Sequence, residues 1–338
     1  MSRRRADTDG GLDGVLVVDK AAGPTSHDVV GLVRRLAGTR RIGHGGTLDP
    51  FASGVLPLFL GSATRLAEYH LGRDKRYRAT VCFGASSTTD DLEGELTPVP
   101  TAPDRATLVD ALAAFRGPLE QRPPDFSAVK VGGRRAYAMA RAGVVPELRT
   151  RTVKIQRLEL IGWVDEDPSR PIATMEVACS AGTYVRSLAR DLGVATGGAA
   201  YLGSLVRTAS GDFELGDAIT VDGIREAAAS GGQAGVAELL RPVDAGLEWM
   251  PSVIVHPTSI PRLIQGQPVR PMPTADGEEE AEGPVRVLDD TGRLVAIGEW
   301  RDGRISPRKV LVRPAPTSGD AAAEAGEDSV AEPGEVRA

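Results

Sequence analysis

Residues 41–65 read RIGHGGTLDPFASGVLPLFLGSATR. The run Val55-Leu56-Pro57-Leu58-Phe59-Leu60 is almost wholly apolar and is expected to be buried. Just upstream, one carboxylate, Asp49, follows the glycines Gly45-Gly46 and precedes Pro50. Adjacent glycines let the backbone take positive φ or approach another group closely. Pro50 fixes its own φ and pushes Asp49 towards extended geometry. The expectation is an acidic side chain on a rigid loop anchored to a hydrophobic wall, as active sites often hold a reactive carboxylate. A turn aspartate before proline has the same local chemistry, so the loop alone does not separate a structural from a functional role.

The chain has 338 residues, a length that predicts about two domains. Hydrophobic residues make up 41%, enough for a real core, whereas aromatics are only 4%, so each Tyr or Trp near a motif carries weight. Cys82 and Cys179 lie far apart in apolar, strand-like stretches and read as buried free thiols of a reducing cytoplasm. No Cys/His spacing suggests zinc, and four histidines leave little to build a metal site from. The start MSRRRADTDGG has basic residues but no apolar core, so it does not read as a signal peptide. No run of about 18 apolar residues predicts a membrane span. Net charge is −6, yet residues 271–290 balance at −6 and residues 314–338 at −5, so the rest is basic. Residues 121–160 alone carry nine basic and three acidic residues. A locally basic surface on an acidic chain is compatible with a polyanion, as it is with solvated lysines and arginines.

Working outward, 1–11 reads as disordered, Gly14–Lys20 as a buried strand, and Thr25 or Ser26 as the N-cap of a helix to about Leu36. Ser62–Leu71 reads as a short helix. In Lys75–Gly84, Tyr77, Ala79, Val81 and Phe83 share one face of a strand. Ser86–Gly94 reads as a polar turn and Ala102–Phe115 as a helix. Residues 117–150 mix prolines, glycines and basic residues with Phe126 and Tyr137, which predicts a long loop with a short helix near Arg135–Ala142 and suits an RNA clamp. Two antiparallel strands, Arg151–Trp163 and Pro171–Ser180, precede a turn and a helix with Tyr184, Leu188 and Leu192 at helical spacing. Arg186 and Arg190 are four apart on that helix, facing a phosphate, a carboxylate or solvent. A strand at Ala200–Thr208 and helical stretches at Ile219–Ala228 and Ala234–Leu240 follow. Residues 249–313 read as a small β-rich domain with a meander and a loose acidic insertion at 274–283, and 314–338 as a disordered acidic tail.

Several of these stretches carry a resemblance. GHGGTLDPFASGVLPLFLGSATR resembles motif II of the TruB family of pseudouridine synthases, which make pseudouridine at position 55 in the tRNA T loop. VVDKAAGPTSHDVV (17–30), DKRYRATVCFG (74–84), QRPPDFSAVKVGGRRAYAMAR (121–141), SAGTYVRSLARDLG (180–193) and AYLGSLVRTASGDF (200–213) follow in the family's order and spacing. The resemblance covers roughly residues 12–215. It implies an α/β (α+β) pseudouridine synthase fold, with a mixed, largely antiparallel sheet, flanking helices and an RNA-binding cleft, over residues 12–248. It implies Asp49 as the catalytic aspartate, Tyr77 as the tyrosine against the target base and a base candidate at carbon 5, and Arg186 as the arginine that pairs with the aspartate. Among substrate-binding positions, Tyr184 matches the neighbouring aromatic and Leu205 an apolar pocket residue. His44 matches a histidine that stacks within the remodelled T loop, and Lys20 a lysine that is structural or local to the pocket. Lys130 falls within residues 125–150, which match the insertion that closes over the T arm. Two departures stand out: Gly45-Gly46-Thr47 follows His44, where the family often has Thr-Gly, and residues 249–313 do not plainly follow the PUA pattern, so that domain is described as PUA-like.

Isomerising uridine breaks the N1–C1′ bond and rejoins the base through C5. No atoms are gained and no redox occurs, so neither cofactor nor metal is required. The reaction needs an ionised carboxylate near C1′ or C2′, and Arg186 is expected to keep the Asp49 pKa low. Attack on C1′ and removal of the C2′ proton both fit the sequence. The target uridine must be flipped out, at a cost of a few kcal/mol. The expected partner is tRNA through its T stem-loop, bound by a cytoplasmic monomer with no obligate protein partner and no membrane. A guide-RNA-dependent relative shares the Asp loop, but the insertion at 125–150 favours the stand-alone enzyme. An RNA chaperone that folds tRNA through the same cleft is a third reading that can coexist with the chemistry.

Overall fold

The computed structural model describes residues 11–127, 129–273 and 283–312. The stretches expected to be disordered or loose, 1–11, 274–283 and 314–338, therefore lie almost wholly outside the described residues. The chain divides into two units between Leu247 and Glu248.

In the first unit, β1 (Gly14–Lys20) leads to α1 (Ser26–Leu36). Thr25 is the N-cap: its hydroxyl accepts from the Asp28 amide at 3.0 Å, and Asp28 accepts in return from the Thr25 amide at 2.9 Å. A short β2 (Ile42–His44) precedes the Asp49 loop and β3 (Ser53–Leu60). Next come α2 (Ala67–Leu71), β4 (Lys75–Phe83) and a small hairpin of β5 (Ala85–Ser87) and β6 (Leu96–Pro98). They are followed by α3 (Arg105–Leu112) and β7 (Gly117–Gln121). Within the insertion, β8 (Lys130–Val131) and β9 (Arg134–Arg135) form a ribbon before α4 (Ala136–Arg141). The remainder is β10 (Arg151–Val164), β11 (Ile172–Cys179), α5 (Val185–Ala195), β12 (Ala200–Ser210), β13 (Phe213–Glu214), β14 (Ile219–Thr220) and α6 (Val221–Ala237).

Ten strands form one sheet along the path β14-β1-β3-β12-β4-β11-β10-β7, with β2 and β13 paired to its side. Only β1–β14 and β3–β12 are parallel; the other pairs are antiparallel. The deciding apolar run is β3, and its residues alternate with a period of two. Leu56, Leu58 and Leu60 enter the main core, where residues of α1, α3, α5 and α6 pack against the sheet. Val55 and Phe59 point the other way, into a cluster with Val15, Val17 and Phe213. A strand buried on both faces reads as a continuous apolar run rather than an alternating one.

Several element expectations change. Ser62–Leu71 splits into a 3₁₀ turn, Gly61–Arg65, and α2. The helix expected from Ala102 starts only at Arg105, because Asp104 caps it by accepting from the Thr107 amide at 2.8 Å. Ile219–Thr220 is a strand that pairs with Val18–Asp19, not the start of a helix. The two expected helical stretches meet within α6 at Gly232, whose φ of 58° is non-helical and separates them.

The second unit is a four-stranded sheet in the order β15 (Ser252–Ile254), β16 (Pro284–Leu288), β17 (Leu294–Arg301), β18 (Arg304–Val310), with α7 (Ile260–Ile264) beside it. The last three strands are the expected antiparallel meander, and β15 adds a parallel edge. Val255, Leu263, Val285, Val287, Val295 and Ile305 give it a core of its own.

Candidate active site

The Asp49 loop is held from the N-terminal segment. Ser26, 2% exposed, donates to the Leu48 carbonyl at 2.9 Å and accepts from the Leu48 amide at 2.8 Å. The Gly23 amide donates to the Pro50 carbonyl at 2.8 Å. Lys20 is fully buried and donates to the carbonyls of Ala21 (2.9 Å), Pro24 (2.8 Å) and Pro50 (3.2 Å). An ammonium has three protons, and three carbonyls take them, so Lys20 braces the loop rather than presenting a free donor. Burial lowers its pKa, and Asp49 opposes that shift. Pinned on both sides, Asp49 can keep only its carboxylate free to meet a partner.

That partner is Arg186, in the first turn of α5. Its Nε stands 3.0 Å from Asp49 Oδ2, off the hydrogen-bond line, while Nη2 donates to Asp49 Oδ1 at 3.3 Å. The same guanidinium lies 3.2 Å from Asp91 Oδ2 and donates to the carbonyls of Thr89 (3.2 Å) and Phe126 (3.1 Å). Arg186 is thus shared between two carboxylates, and its side chain is only 6% exposed against 35% for Asp49. The carboxylate remains accessible to solvent and the cation does not. The expectation that Arg186 keeps the Asp49 pKa low is reversed. Burial comes first and raises it above the ordinary 3.8, Arg186 opposes, and the Asp91 charge pushes it further up.

Tyr77, on β4, is partly exposed and packs against the main core. Directly opposite it on β12 is Arg207, and the next pair along that face is Ala79 with Leu205. Leu205 is 7% exposed, an apolar neighbour of the Tyr77 position. Burial raises the pKa of the Tyr77 hydroxyl, the Arg207 charge opposes, and the Asp49 charge adds to the rise. A neutral phenol is therefore the resting form at neutral pH.

Tyr184 does not belong to the helix, as its spacing to Leu188 suggested: it is the N-cap residue of α5. Gln121, fully buried on β7, grips its backbone, accepting from the Tyr184 amide at 2.8 Å and donating to its carbonyl at 3.0 Å. The Arg151 guanidinium lies 4.5 Å from the ring centroid, a cation–π contact. His44, half-buried at the head of the loop, accepts from the Gly46 amide at 3.3 Å through Nδ1. Burial and the Arg207 charge lower its pKa, so it is neutral. Lys130 is exposed on β8 and, among the described residues, has no hydrogen bond or ion pair with these groups. Arg135, at the end of β9, and Arg141, in α4, lie 5.9 and 5.6 Å from the Tyr137 ring centroid. Arg190 faces carboxylates like its neighbour, with Nη1 2.9 Å from Asp90 Oδ2. Among the described residues no three His, Cys, Asp or Glu cluster to hold a metal, and no helix is long and apolar enough to cross a membrane.

The matched family models are the N-terminal domain of TruB family pseudouridylate synthase, over residues 34–185, and the C-terminal domain of pseudouridine synthase II TruB, over residues 251–311. A tRNA pseudouridine synthase B of Pseudomonas aeruginosa is 41% identical over 302 residues, 89% of this chain and 96% of that protein. The chain belongs to the TruB family of pseudouridine synthases. A second TruB relative, from Bacillus licheniformis, is 38% identical over 307 residues, 89% of this chain and 98% of that protein. Among solved structures, an H/ACA RNP bound to a substrate RNA containing 2′-deoxyuridine aligns with a TM-score of 0.66 at 22% identity, covering 92% of this chain and 93% of that one. The archaeal box H/ACA sRNP Nop10-Cbf5 complex aligns at 0.65 and 23%, covering 91% and 89%. At that identity both speak for the fold, which is the expected pseudouridine synthase architecture.

Within this TruB chain four structured residues escaped the sequence reading. Asp91 sat in a stretch that reads only as a polar turn. Gln121 and Ser26 act through tertiary hydrogen bonds that no local pattern announces. Arg207 left a signal: it shares strand parity with Leu205, which places an arginine on a core-facing side.

Proposed function

We propose that this protein isomerises uridine to pseudouridine at position 55 in the T loop of tRNA, with Asp49 as the catalytic carboxylate. The observation that carries the reading is the Asp49–Arg186 pair, in which the carboxylate is open to solvent and the cation is buried. Relatives at about 40% identity that bear the name tRNA pseudouridine synthase B support the substrate class. Arg186 orients the carboxylate and stabilises its ionised form for action at C1′ or on the C2′ proton. Tyr77, on one side of the carboxylate, and Tyr184, at the head of the Arg186 helix, offer rings against which a flipped uracil can stack while it rotates to present C5. The Tyr77 hydroxyl also feels the Asp49 charge. Leu205 packs beside the base. His44 and the basic insertion, with Lys130, offset the cost of flipping through stacking and phosphate contacts. We read the second unit as a PUA-like RNA contact, and the enzyme as a cytoplasmic monomer acting without a guide RNA.

The test is tritium release from a T stem-loop labelled at C5 of the target uridine. Asp49→Ala is expected to bind the stem-loop within a few fold of the unsubstituted protein and to release no tritium. Substantial turnover by this variant removes Asp49 from the chemistry. A stem-loop that is inert without added proteins removes the stand-alone reading. Deuterium at C2′ separates the two routes, since only proton removal there gives a primary isotope effect.

A further inference from the structure

Arg207 is 1% exposed, the largest fully buried side chain in the protein. Its Nε donates to the Val55 carbonyl at 2.7 Å, Nη2 to the Gly46 carbonyl at 3.0 Å and Nη1 to the Thr47 carbonyl at 3.4 Å. Tyr77 stands directly opposite it across the β4–β12 pair, near enough for each side chain to influence the other's charge. The backbone is shaped to admit it. Gly54, its partner on β3, has φ of 102°, and a Cβ there would lie 2.3 Å from the Arg207 carbonyl oxygen.

A buried cation ordinarily meets a carboxylate, because removing charge from water is costly unless it is paired. Among the described residues no ion pair with a carboxylate is made by Arg207; the one ionisable group that favours its charge is Tyr77. Lys20, Lys75 and His44 all feel the same positive charge and are disfavoured by it. A loop brace alone would not need this charge, since neutral donors can satisfy three carbonyls.

We propose that Arg207 is a positioning residue whose guanidinium fixes the Tyr77 oxygen and the Asp49 loop as one unit and holds a positive charge against that oxygen. The proposal rests on the reading of Tyr77 and Asp49 as parts of the reaction site. Arg207 reaches the substrate only through Tyr77 and the loop. It aims the phenol oxygen, and it favours any negative charge that gathers there during the reaction.

The experiment is a double-mutant cycle in the full chain, read by single-turnover and steady-state tritium release on the T stem-loop. Arg207→Gln loses the charge and keeps one amide group, with two N–H donors, for the loop carbonyls; it is expected to lower kcat about 100-fold with KM within about threefold. Arg207→Lys keeps the charge and is expected to recover most of that loss. In a Tyr77→Phe background, Arg207→Gln is expected to cost clearly less than in the unsubstituted chain, because only its hold on the Asp49 loop is left to lose. Equal losses in both backgrounds, or a defect confined to KM, would show a scaffold residue and overturn the proposal. Thermal melting of Tyr77→Phe is a second arm that needs neither turnover nor a foldable Arg207 variant. Removing the hydroxyl strips the cation of its partner, so the melting temperature is expected to fall; an unchanged or higher one overturns the pairing. Turnover by Asp49→Ala would defeat the functional reading and leave the melting arm intact, so the two failures are distinguishable.

Discussion

Arg186 is the residue on which the site turns, because it serves two carboxylates at once. Burial raises the Asp49 pKa, Arg186, split between Asp49 and Asp91, opposes the rise, and the Asp91 charge adds to it. The reaction requires the ionised form, so activity is lost as pH falls through a value above the ordinary 3.8. Asp91→Asn removes the like charge and leaves Arg186 wholly to Asp49. The acid limb of the kcat–pH profile is therefore expected to move to lower pH in that variant. An acid limb that stays in place would remove Asp91 from the electrostatics of the pair. His70 makes a second residue-scale prediction, about stability. Its ring lies between Phe59 and Phe213, at 4.7 and 5.6 Å between centroids, with Nε2 buried and unpartnered. Burial lowers its pKa from 6.5 to about 4. The folded state then binds the proton less well than the unfolded state. The stabilisation is complete above pH 6.5 and is lost as pH falls towards 4. At about 1.36 kcal/mol per pKa unit, up to about 3 kcal/mol is at stake. Unfolding free energies measured from pH 7.5 to 4.5 should flatten over that window in His70→Leu.

At the scale of elements, the N-terminal strand and helix form the mount of the Asp49 loop. β1 delivers Lys20, and the start of α1 delivers Ser26, each to backbone groups adjoining Asp49. Ser26→Ala leaves the Leu48 amide and carbonyl without that buried partner, a loss of about 1–3 kcal/mol. The expected outcome is a lower melting temperature together with a fall in kcat larger than the rise in KM, since the loop positions the reacting carboxylate rather than the whole RNA. A variant that melts lower with kcat untouched would show that the staple serves the fold alone. Gly54 plays the matching part at the other end of the loop, where β3 and β12 run side by side. Only a residue without a Cβ lets the Arg207 backbone approach at a φ of 102°.

For the whole molecule, the opposition between charge and partner is the main physical question. A chain of net charge −6 is asked to bind a polyanion. Residues 271–290 and 314–338 hold the acidic excess, and the insertion with its Arg135–Tyr137–Arg141 stack holds basic side chains. Binding to the T stem-loop should then weaken as salt rises, with a slope of log affinity against log salt of about −0.7 to −0.9 per phosphate contact neutralised. Replacing Arg134, Arg135 and Arg141 by Gln should shallow that slope; a slope unaffected by the replacement would move the RNA contact elsewhere.

The sequence by itself determined the strands and the Asp49 loop, because both are written in local chemistry. The apolar run Val55–Leu60 announces burial, and the backbone limits of Gly45, Gly46 and Pro50 show at once, whereas the division of Leu56, Leu58 and Leu60 from Val55 and Phe59 between two faces came with the fold. Asp49, Tyr77, Arg186 and Leu205 were singled out through stretches whose order resembles one family, and the small C-terminal β domain through the strand-and-turn pattern of its meander. The helix boundaries at Arg105 and Val221 were not, since they depend on a cap and on a strand partner far away in sequence. Tertiary structure alone decided which groups share a charge. Asp91 reaches Arg186 across 95 residues, and Arg207 reaches Gly46 across 161. The sign of the Asp49 shift followed from burial, which no pairing read along the chain can weigh. Electrostatic energy depends on distance and on exclusion of water, and both come into being only when the sheet brings β3, β4 and β12 together.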